Sequence, residues 1–275
     1  MAGLTVLMDN NVLMPECPSE HGLSIYLCLE NGHEWLWDTG QSGRFLQNAR
    51  MLGVDLKHLS GCAFSHGHYD HTGGLDTLLA VDGTRDIPLY AHPNFICKRY
   101  VRRPNGSCEE IGIRTDDPAG VQKRLRTVRE EVVLDRNLVM LTDISRLPGK
   151  YQAVDNFYLD PACLEEDIVI DDAFLILETK HGPVLILGCC HSGLANTCCF
   201  AKEKTGIKKF YALIGGTHLA AGKKAELDQA AETINTFGFS HVWPGHCTGD
   251  KGFKYLADAF PDKVHQLGAG LKIEF

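Results

Sequence analysis

Four potential metal ligands fall within six residues in Ser65-His66-Gly67-His68-Tyr69-Asp70-His71-Thr72-Gly73-Gly74. The apolar run Gly61 to Phe64 before them reads as a strand. In an extended chain, residues i and i+2 point the same way, so His66 and His68 can face one ion. Gly67 between them adds no bulk. The chain must then turn, which swings Asp70 and His71 toward a neighbouring point. Neutral imidazole and carboxylate suit zinc, and also iron or manganese. Two ions held ~3.5–4 Å apart can share a bridging water and clamp a substrate oxygen. One histidine is usually structural; four such residues at this spacing, followed by Thr72-Gly73-Gly74, are hard to explain as core packing.

This loop supplies too few ligands for two ions. His191, in Gly188-Cys189-Cys190-His191-Ser192-Gly193, follows the apolar run Val184 to Leu187. His246, in Pro244-Gly245-His246-Cys247-Thr248-Gly249, follows His241 to Trp243. Both sit at expected strand ends, where side chains converge at the rim of a sheet. His218, in Ile214-Gly215-Gly216-Thr217-His218-Leu219, is placed similarly and suits substrate contact or structure.

The elements that must carry these residues are readable in outline. Leu23 to Leu29 and Glu34 to Trp37 flank Asn31-Gly32, a hairpin signal. A helical pattern with Phe45, Leu46, Ala49 and Leu52 on one face closes at Gly53. A short helix begins near Gly74 with Leu75, Leu78 and Leu79 inward, and Ile87 to Ala91 reads as a strand. Ala173 to Glu178 and Val184 to Leu187 form a second hairpin through His181-Gly182. A helix over 225–237 presents Leu227, Ala230, Ala231, Ile234 and Phe237 on one face. The stretch 95–167 is rich in charge, Pro and Gly, and reads as an irregular insertion or cap on a single domain spanning 1–275. Sheets covered by helices are the expected architecture.

Composition narrows the function classes. Hydrophobic residues make up 44% and charged residues 23%, which suits a chain with a real core. No apolar run approaches the ~20 residues of a membrane span. Met1 to Pro15 has no Lys or Arg ahead of its apolar residues, so it does not read as a secretory signal, and a cytoplasmic location is expected. The 11 cysteines then need form no disulfides, and Cys28 and Cys62 read as small buried hydrophobes. The net charge of −8 argues against a general nucleic-acid binder. Nine Lys or Arg against four Asp or Glu between Lys98 and Arg129 make a local basic segment. Its bland reading is a solvated surface; its functional reading is a site for an anionic substrate, with Arg99, Arg102 and Arg103 as phosphate ligands.

His66-x-His68-x-Asp70-His71, with Asp38-Thr39-Gly40 upstream, resembles the metallo-β-lactamase fold superfamily. Further stretches resemble the subgroup of the dihydropterin–ribofuranosylaminobenzene phosphate synthase of methanopterin biosynthesis. They are Glu20 to Ser24, Trp37 to Gly40, Ser65 to Leu75, Asp171 to Ala173, Gly188 to Asn196, Ile214 to Leu219 and Pro244 to Gly249. The resemblance implies an α/β fold, an αβ/βα sandwich of two mixed sheets flanked by helices, with metals at one rim. It implies that His66, His68 and His191 hold one divalent ion and that Asp70, His71 and His246 hold the other, with zinc first in line. It makes Asp38 a buttress of the metal loop. Asp70 is the expected general base and His218 a catalytic or substrate-contacting residue; His21, Arg102 and Arg103 are expected on the substrate side.

One departure stands out. Superfamily hydrolases carry a bridging Asp after a strand ending in Gly; here the sequence is Gly188-Cys189. A His before that strand is absent too, since His181 falls in a hairpin turn. His191 is then expected in the place of the missing groups, with a weaker or different second metal. The expected function is a metal-dependent enzyme acting on a phosphorylated or anionic small molecule, by hydrolysis or by pterin transfer with diphosphate release. An iron-containing redox protein using the pairs Cys189-Cys190 and Cys198-Cys199, and a non-catalytic binding module, are the alternatives.

Overall fold

The structure is a computed structural model and describes residues 2–275; Met1, the first residue of the stretch read above for a signal, lies outside the described residues. In chain order the strands and helices are β1 (Gly3–Met8), β2 (Ser24–Cys28), β3 (Glu34–Trp37), α1 (Arg44–Leu52), β4 (Leu59–Ala63), α2 (Tyr69–Thr72), α3 (Leu75–Leu79) and β5 (Leu89–Ala91). There follow β6 (Tyr100–Arg102), β7 (Cys108–Glu110), α4 (Pro118–Arg124), β8 (Leu125–Thr127), β9 (Glu131–Asp135), β10 (Leu138–Leu141) and β11 (Phe157–Tyr158). The chain continues with β12 (Phe174–Thr179), β13 (Gly182–Leu187), α5 (Leu194–Thr205), β14 (Ala212–Gly216), α6 (Lys224–Thr236), β15 (His241–Gly245), α7 (Gly249–Ala259) and β16 (Lys272–Glu274). These elements fall into two compact units: 1–128, 154–171 and 268–275 form the first, and 129–153 with 172–267 the second.

The first unit carries a mixed sheet in the order β16-β1-β2-β3-β4-β5-β8. The Asn31-Gly32 turn does what its chemistry requires: Gly32 takes φ +83°, and Leu29 N–H donates to His33 O at 2.9 Å. The register that follows pairs Ile25 with Trp37 and Leu27 with Trp35. From β3 onward the neighbours β4, β5 and β8 run parallel. Helix α1 buries Phe45, Asn48, Ala49 and Leu52, and ends on Gly53 in the left-handed region. With Leu75 and Leu78 of α3 it covers Leu36, Cys62 and Leu89 of the sheet. Each such fully buried apolar side chain contributes about 1.5–3 kcal/mol.

The second unit carries a mixed sheet in the order β15-β14-β13-β12-β10-β9. Strands β13, β14 and β15 are parallel, so their C-terminal ends lie at one edge. Helices α5, α6 and α7 pack Leu194, Cys198, Leu227, Ile234 and Leu256 against Leu185, Leu187, Leu213 and Val242 of the strands.

The stretch 95–167, expected as an irregular insertion or cap, contains regular strands. Strands β8, β9 and β10 within it join the two large sheets, and β6, β7 and β11 form a small antiparallel sheet in the first unit. These strands are two to five residues long, too short for a periodicity to be read. One disulfide that a chain of this size does not need is present: Cys108 on β7 is linked to Cys163, with Cα atoms 6.3 Å apart. Cys62 is fully buried as expected, while Cys28 is partly exposed. Among the described residues, no helix is long and apolar enough to cross a membrane.

Candidate metal centre

In the first unit, β4 delivers the loop as the sequence requires. Phe64 N–H pairs with Tyr90 O at 2.9 Å, which holds the chain extended up to Ser65. His66 and His68 then lie together, with His66 Nε2 3.0 Å from His68 Nδ1. Two nitrogens on one tetrahedral zinc, each ~2.05 Å from it, would be ~3.3 Å apart. The turn expected after His68 is the helix α2, for which His68 is the N-cap residue. It brings Asp70 Oδ2 to 3.6 Å from His71 Nε2. All four residues are buried, His71 completely.

A proton network beneath the loop sets which nitrogens face outward. Asp38 Oδ1 accepts from Ser65 N–H at 2.8 Å. Its Oδ2 accepts from Ser65 Oγ at 2.7 Å and from His71 Nδ1 at 2.7 Å. Ser65 Oγ, having spent its proton on Asp38, can only accept from His66 Nδ1, 2.9 Å away. Both imidazoles therefore hold their protons on Nδ1 and present the lone pair of Nε2. This is the arrangement by which a carboxylate orients a metal-binding histidine. Asp38 does it from the left-handed region, at φ +59°, a conformation that Asp tolerates better than most residues.

A second network fixes the backbone of the loop. Gly67 N–H donates to Asp171 Oδ2 at 2.8 Å. A Cβ on Gly67 would come within 2.1 Å of Phe95 O, so no side chain fits there. Asp171 is paired with Arg99 Nη2 at 2.7 Å, and Arg99 also pairs with Asp167. Arg99 is only 1% exposed. Burial opposes its charge, but Asp171 and Asp167 outweigh that cost and hold it protonated. Burial likewise pushes the Asp171 carboxyl up, against the pull of Arg99. Arg99 is thus a strut of the metal loop, not a phosphate ligand; sequence could not show two acids from 167 and 171 arriving beside it.

His21 is half exposed, with Nε2 3.2 Å from Asp70 Oδ2 and Nδ1 3.2 Å from Asn10 Nδ2. Arg102 lies over the Tyr158 ring and donates to Cys163 O. Arg103 pairs with Glu109 at 2.8 Å on the surface. The structure brings His21 to the metal loop and engages both arginines with groups of the small sheet or of the loop tied to it by the disulfide.

In the second unit, Cys189, His191, His218 and His246 follow the ends of β13, β14 and β15 at one edge of the sheet. His191 Nδ1 donates to Ala153 O at 2.7 Å, so Nε2 is again the nitrogen left to bind. Ser192 N–H donates to Asp172 Oδ2 at 2.7 Å, and the backbone returns at Gly193, the residue before α5. The His191 and His218 rings stand 4.6 Å apart. Tyr151 Oη donates to His218 O at 3.1 Å, and Thr217 N–H donates to Thr248 Oγ1 at 3.1 Å, which ties the loops after β14 and β15. Cys190, His218 and His246 all take positive φ, at +58°, +50° and +48°. Non-glycine residues held in this region cluster at functional sites.

The donor atoms of Cys189, His218 and Cys247 all lie within 4.8 Å of one another, a grouping the sequence reading missed. The signal was present: each cysteine adjoins a strand end that also carries a histidine. Cys190 and Cys198, considered above as cluster ligands, are fully buried, and burial pushes both thiols well above their usual range. They are packing residues of the helical face.

The first unit therefore offers imidazoles and a carboxylate, and the second imidazoles and thiols, donor types that suit a divalent first-row metal. Comparison with known proteins agrees. The family model for the β-lactamase superfamily domain matches residues 33–110. The chain is 27% identical, over 94% of its own length and 90% of the relative's, to the 7,8-dihydropterin-6-methyl-4-(β-D-ribofuranosyl)-aminobenzene-5'-phosphate synthase of Methanocaldococcus jannaschii. Among solved structures it resembles one described as a metal-dependent hydrolase of the β-lactamase superfamily, at 28% identity, a TM-score of 0.84 and 99% coverage of that chain. A diphosphatase of the PhnP family shares the fold at 14% identity and a TM-score of 0.59, over 98% of its length. Two mixed sheets flanked by helices, a His-x-His-x-Asp-His loop at the end of β4, and these likenesses give one conclusion: the chain has the metallo-β-lactamase fold and resembles the enzymes of that superfamily.

Proposed function

We propose that this protein is a metal-dependent enzyme acting on a phosphorylated small molecule, with His66, His68, Asp70, His71, His191 and His246 as ligands of two divalent ions. The observation that carries the reading is the proton network from Asp38 through Ser65 and His71, which commits the Nδ1 protons of His66 and His71 and leaves both Nε2 atoms as donors. Such ions, when bound, lower the pKa of a bound water toward ~7 and polarise a phosphoryl oxygen. In this reading Asp70 would accept the proton of the attacking nucleophile. His21, half exposed and 3.2 Å from Asp70, would pass the proton on to solvent. His218 is assigned to the substrate side of the second unit.

The relatives named above include a synthase and a hydrolase, and the reaction follows one of those two courses. In hydrolysis, water attacks the phosphorus and the alcohol leaves. In transfer, the C–O bond to diphosphate breaks at the pterin's methylene carbon, the amine nitrogen of the aminobenzene bonds to that carbon, and the nitrogen gives up one proton. The test is direct: the zinc- and manganese-loaded chains are assayed with phosphate esters, and with a pterin diphosphate plus an aminobenzene ribofuranosyl phosphate. His68→Ala should lose bound metal and turnover together. Full turnover without metal in that variant would end the proposal.

A further inference from the structure

We infer that Phe157 is the platform on which the substrate lays a flat aromatic or heteroaromatic ring, so that the protein takes ring-bearing anions in preference to alkyl ones. The inference rests on the proposed function, since it places that ring beside the metal loop of the first unit.

The Phe157 and His68 ring centroids are 5.0 Å apart, with their planes tilted by 45°. His68 is buried, whereas Phe157 is only partly covered. An ion held by His68 would lie ~2 Å from the imidazole, so a group bound to that ion has the Phe157 ring within reach. Val101, directly opposite Phe157 in the pairing of β6 with β11, shares its face and is also partly exposed. The small sheet thus sets an apolar surface against a loop of imidazoles and a carboxylate.

The ring is held still although β11 is only two residues long. On one side, β6 pairs with it, and Arg102 N–H donates to Asn156 O at 2.9 Å. On the other, Asp167 N–H donates to Phe157 O at 2.9 Å, and Tyr158 bridges to Glu166. Asp167 is itself fixed by Arg99, and the disulfide from Cys163 to Cys108 ties the intervening turn to β7. A flat surface fixed before binding costs little further ordering. An aromatic ring left partly in water gains burial when a ligand covers it, and a planar partner adds a stacking contribution that a puckered ring lacks. Ions for the anionic group and Phe157 for the ring select molecules that carry both, joined by only a few bonds, because the platform adjoins a metal ligand.

Non-reacting phosphonates, titrated calorimetrically into the Co²⁺-loaded full-length chain, test it. Phenylphosphonate should bind at least about tenfold more tightly than methylphosphonate, and about 2–10-fold more tightly than cyclohexylphosphonate. Phe157→Leu, which keeps an apolar side chain, should bring the phenyl-to-cyclohexyl ratio to about one, and Phe157→Trp should keep it at or above the wild-type value. Ratios taken within one variant cancel any change in folding or metal content. Phenyl and cyclohexyl phosphonates bound equally by the wild type, or a phenyl preference unchanged in Phe157→Leu, would overturn the inference; metal-dependent binding of methylphosphonate would then leave the proposed function standing. No phosphonate bound by the metal-loaded wild type would overturn both.

Discussion

Asp38→Asn is the sharpest probe of the metal loop. The new amide keeps an oxygen to accept from Ser65 N–H, but it puts an NH₂ where Oδ2 took protons from Ser65 Oγ and His71 Nδ1. The hydroxyl can rotate and accept instead. His71 cannot rotate out of the conflict: it must either lose the bond or move its proton to Nε2, the nitrogen that faces Asp70. Moving the proton removes a metal ligand. Loss of such a supporting partner weakens metal binding about 10–100-fold, which is ~1.4–2.8 kcal/mol. The charge-assisted bond itself is worth about 1.5–3 kcal/mol of fold stability. Asn accepts the +59° backbone angle, so backbone strain adds little. Competition with a chromophoric chelator reads the affinity, and denaturant unfolding of the metal-free chain reads the stability. An affinity within about twofold of wild type would refute the proton assignment.

Three other outcomes are expected. Gly67→Ala drives a methyl against Phe95 O, 2.1 Å from the new Cβ, in a loop pinned by Asp171; unfolding should show a loss of about 1–3 kcal/mol with weakened metal uptake. Arg99→Met leaves Asp167 and Asp171 buried without their cation, at a cost of about 3–5 kcal/mol. Arg103→Met, which breaks only the exposed pair with Glu109, should cost under about 1 kcal/mol, so equal losses would sink the strut assignment. His241 is held below its ordinary pKa by burial and then by His265, and it packs between Trp243, Tyr211 and His265. A lowered histidine pKa stabilises the fold above its unfolded value of ~6.5, and that stability is lost as pH falls through the lower folded value. Unfolding of His241→Gln should therefore depend less on pH below ~6.5 than wild type does; parallel curves would refute it.

Local chemistry made much of the fold legible. The Asn31-Gly32 hairpin, the α1 face closed by Gly53, and α6 are each specified by residues within one element. The His66–His71 loop was legible for the same reason, since its donors are near neighbours in sequence. Other elements escaped because their sequences do not alternate. Helix α5 buries Leu194, Ala195, Asn196, Thr197 and Cys198 in succession, so it shows no apolar stripe, and α7 carries two glycines. Arg99 was misread because its basic neighbours Arg102 and Arg103 suggested an anion site, while its true partners lie about 70 residues away. The Cys189–His218–Cys247 grouping was hidden for the same reason: three strand ends must first be laid in register before their side chains meet.

The bond from Gly67 N–H to Asp171 spans 104 residues of chain. At a synthesis rate of roughly 5–20 residues per second, its acceptor emerges roughly 5–20 s after its donor. During that interval the histidines are already outside the ribosome, while the latch that shapes their backbone does not yet exist. The nascent loop is then a string of imidazoles free to bind any available cation in a non-native geometry. The entropy cost of closing such a loop grows with the logarithm of its length, and contacts between distant residues form slowly. The native ligand geometry is therefore a late product of folding, and metal offered before residue 171 has emerged meets a different protein from metal offered after.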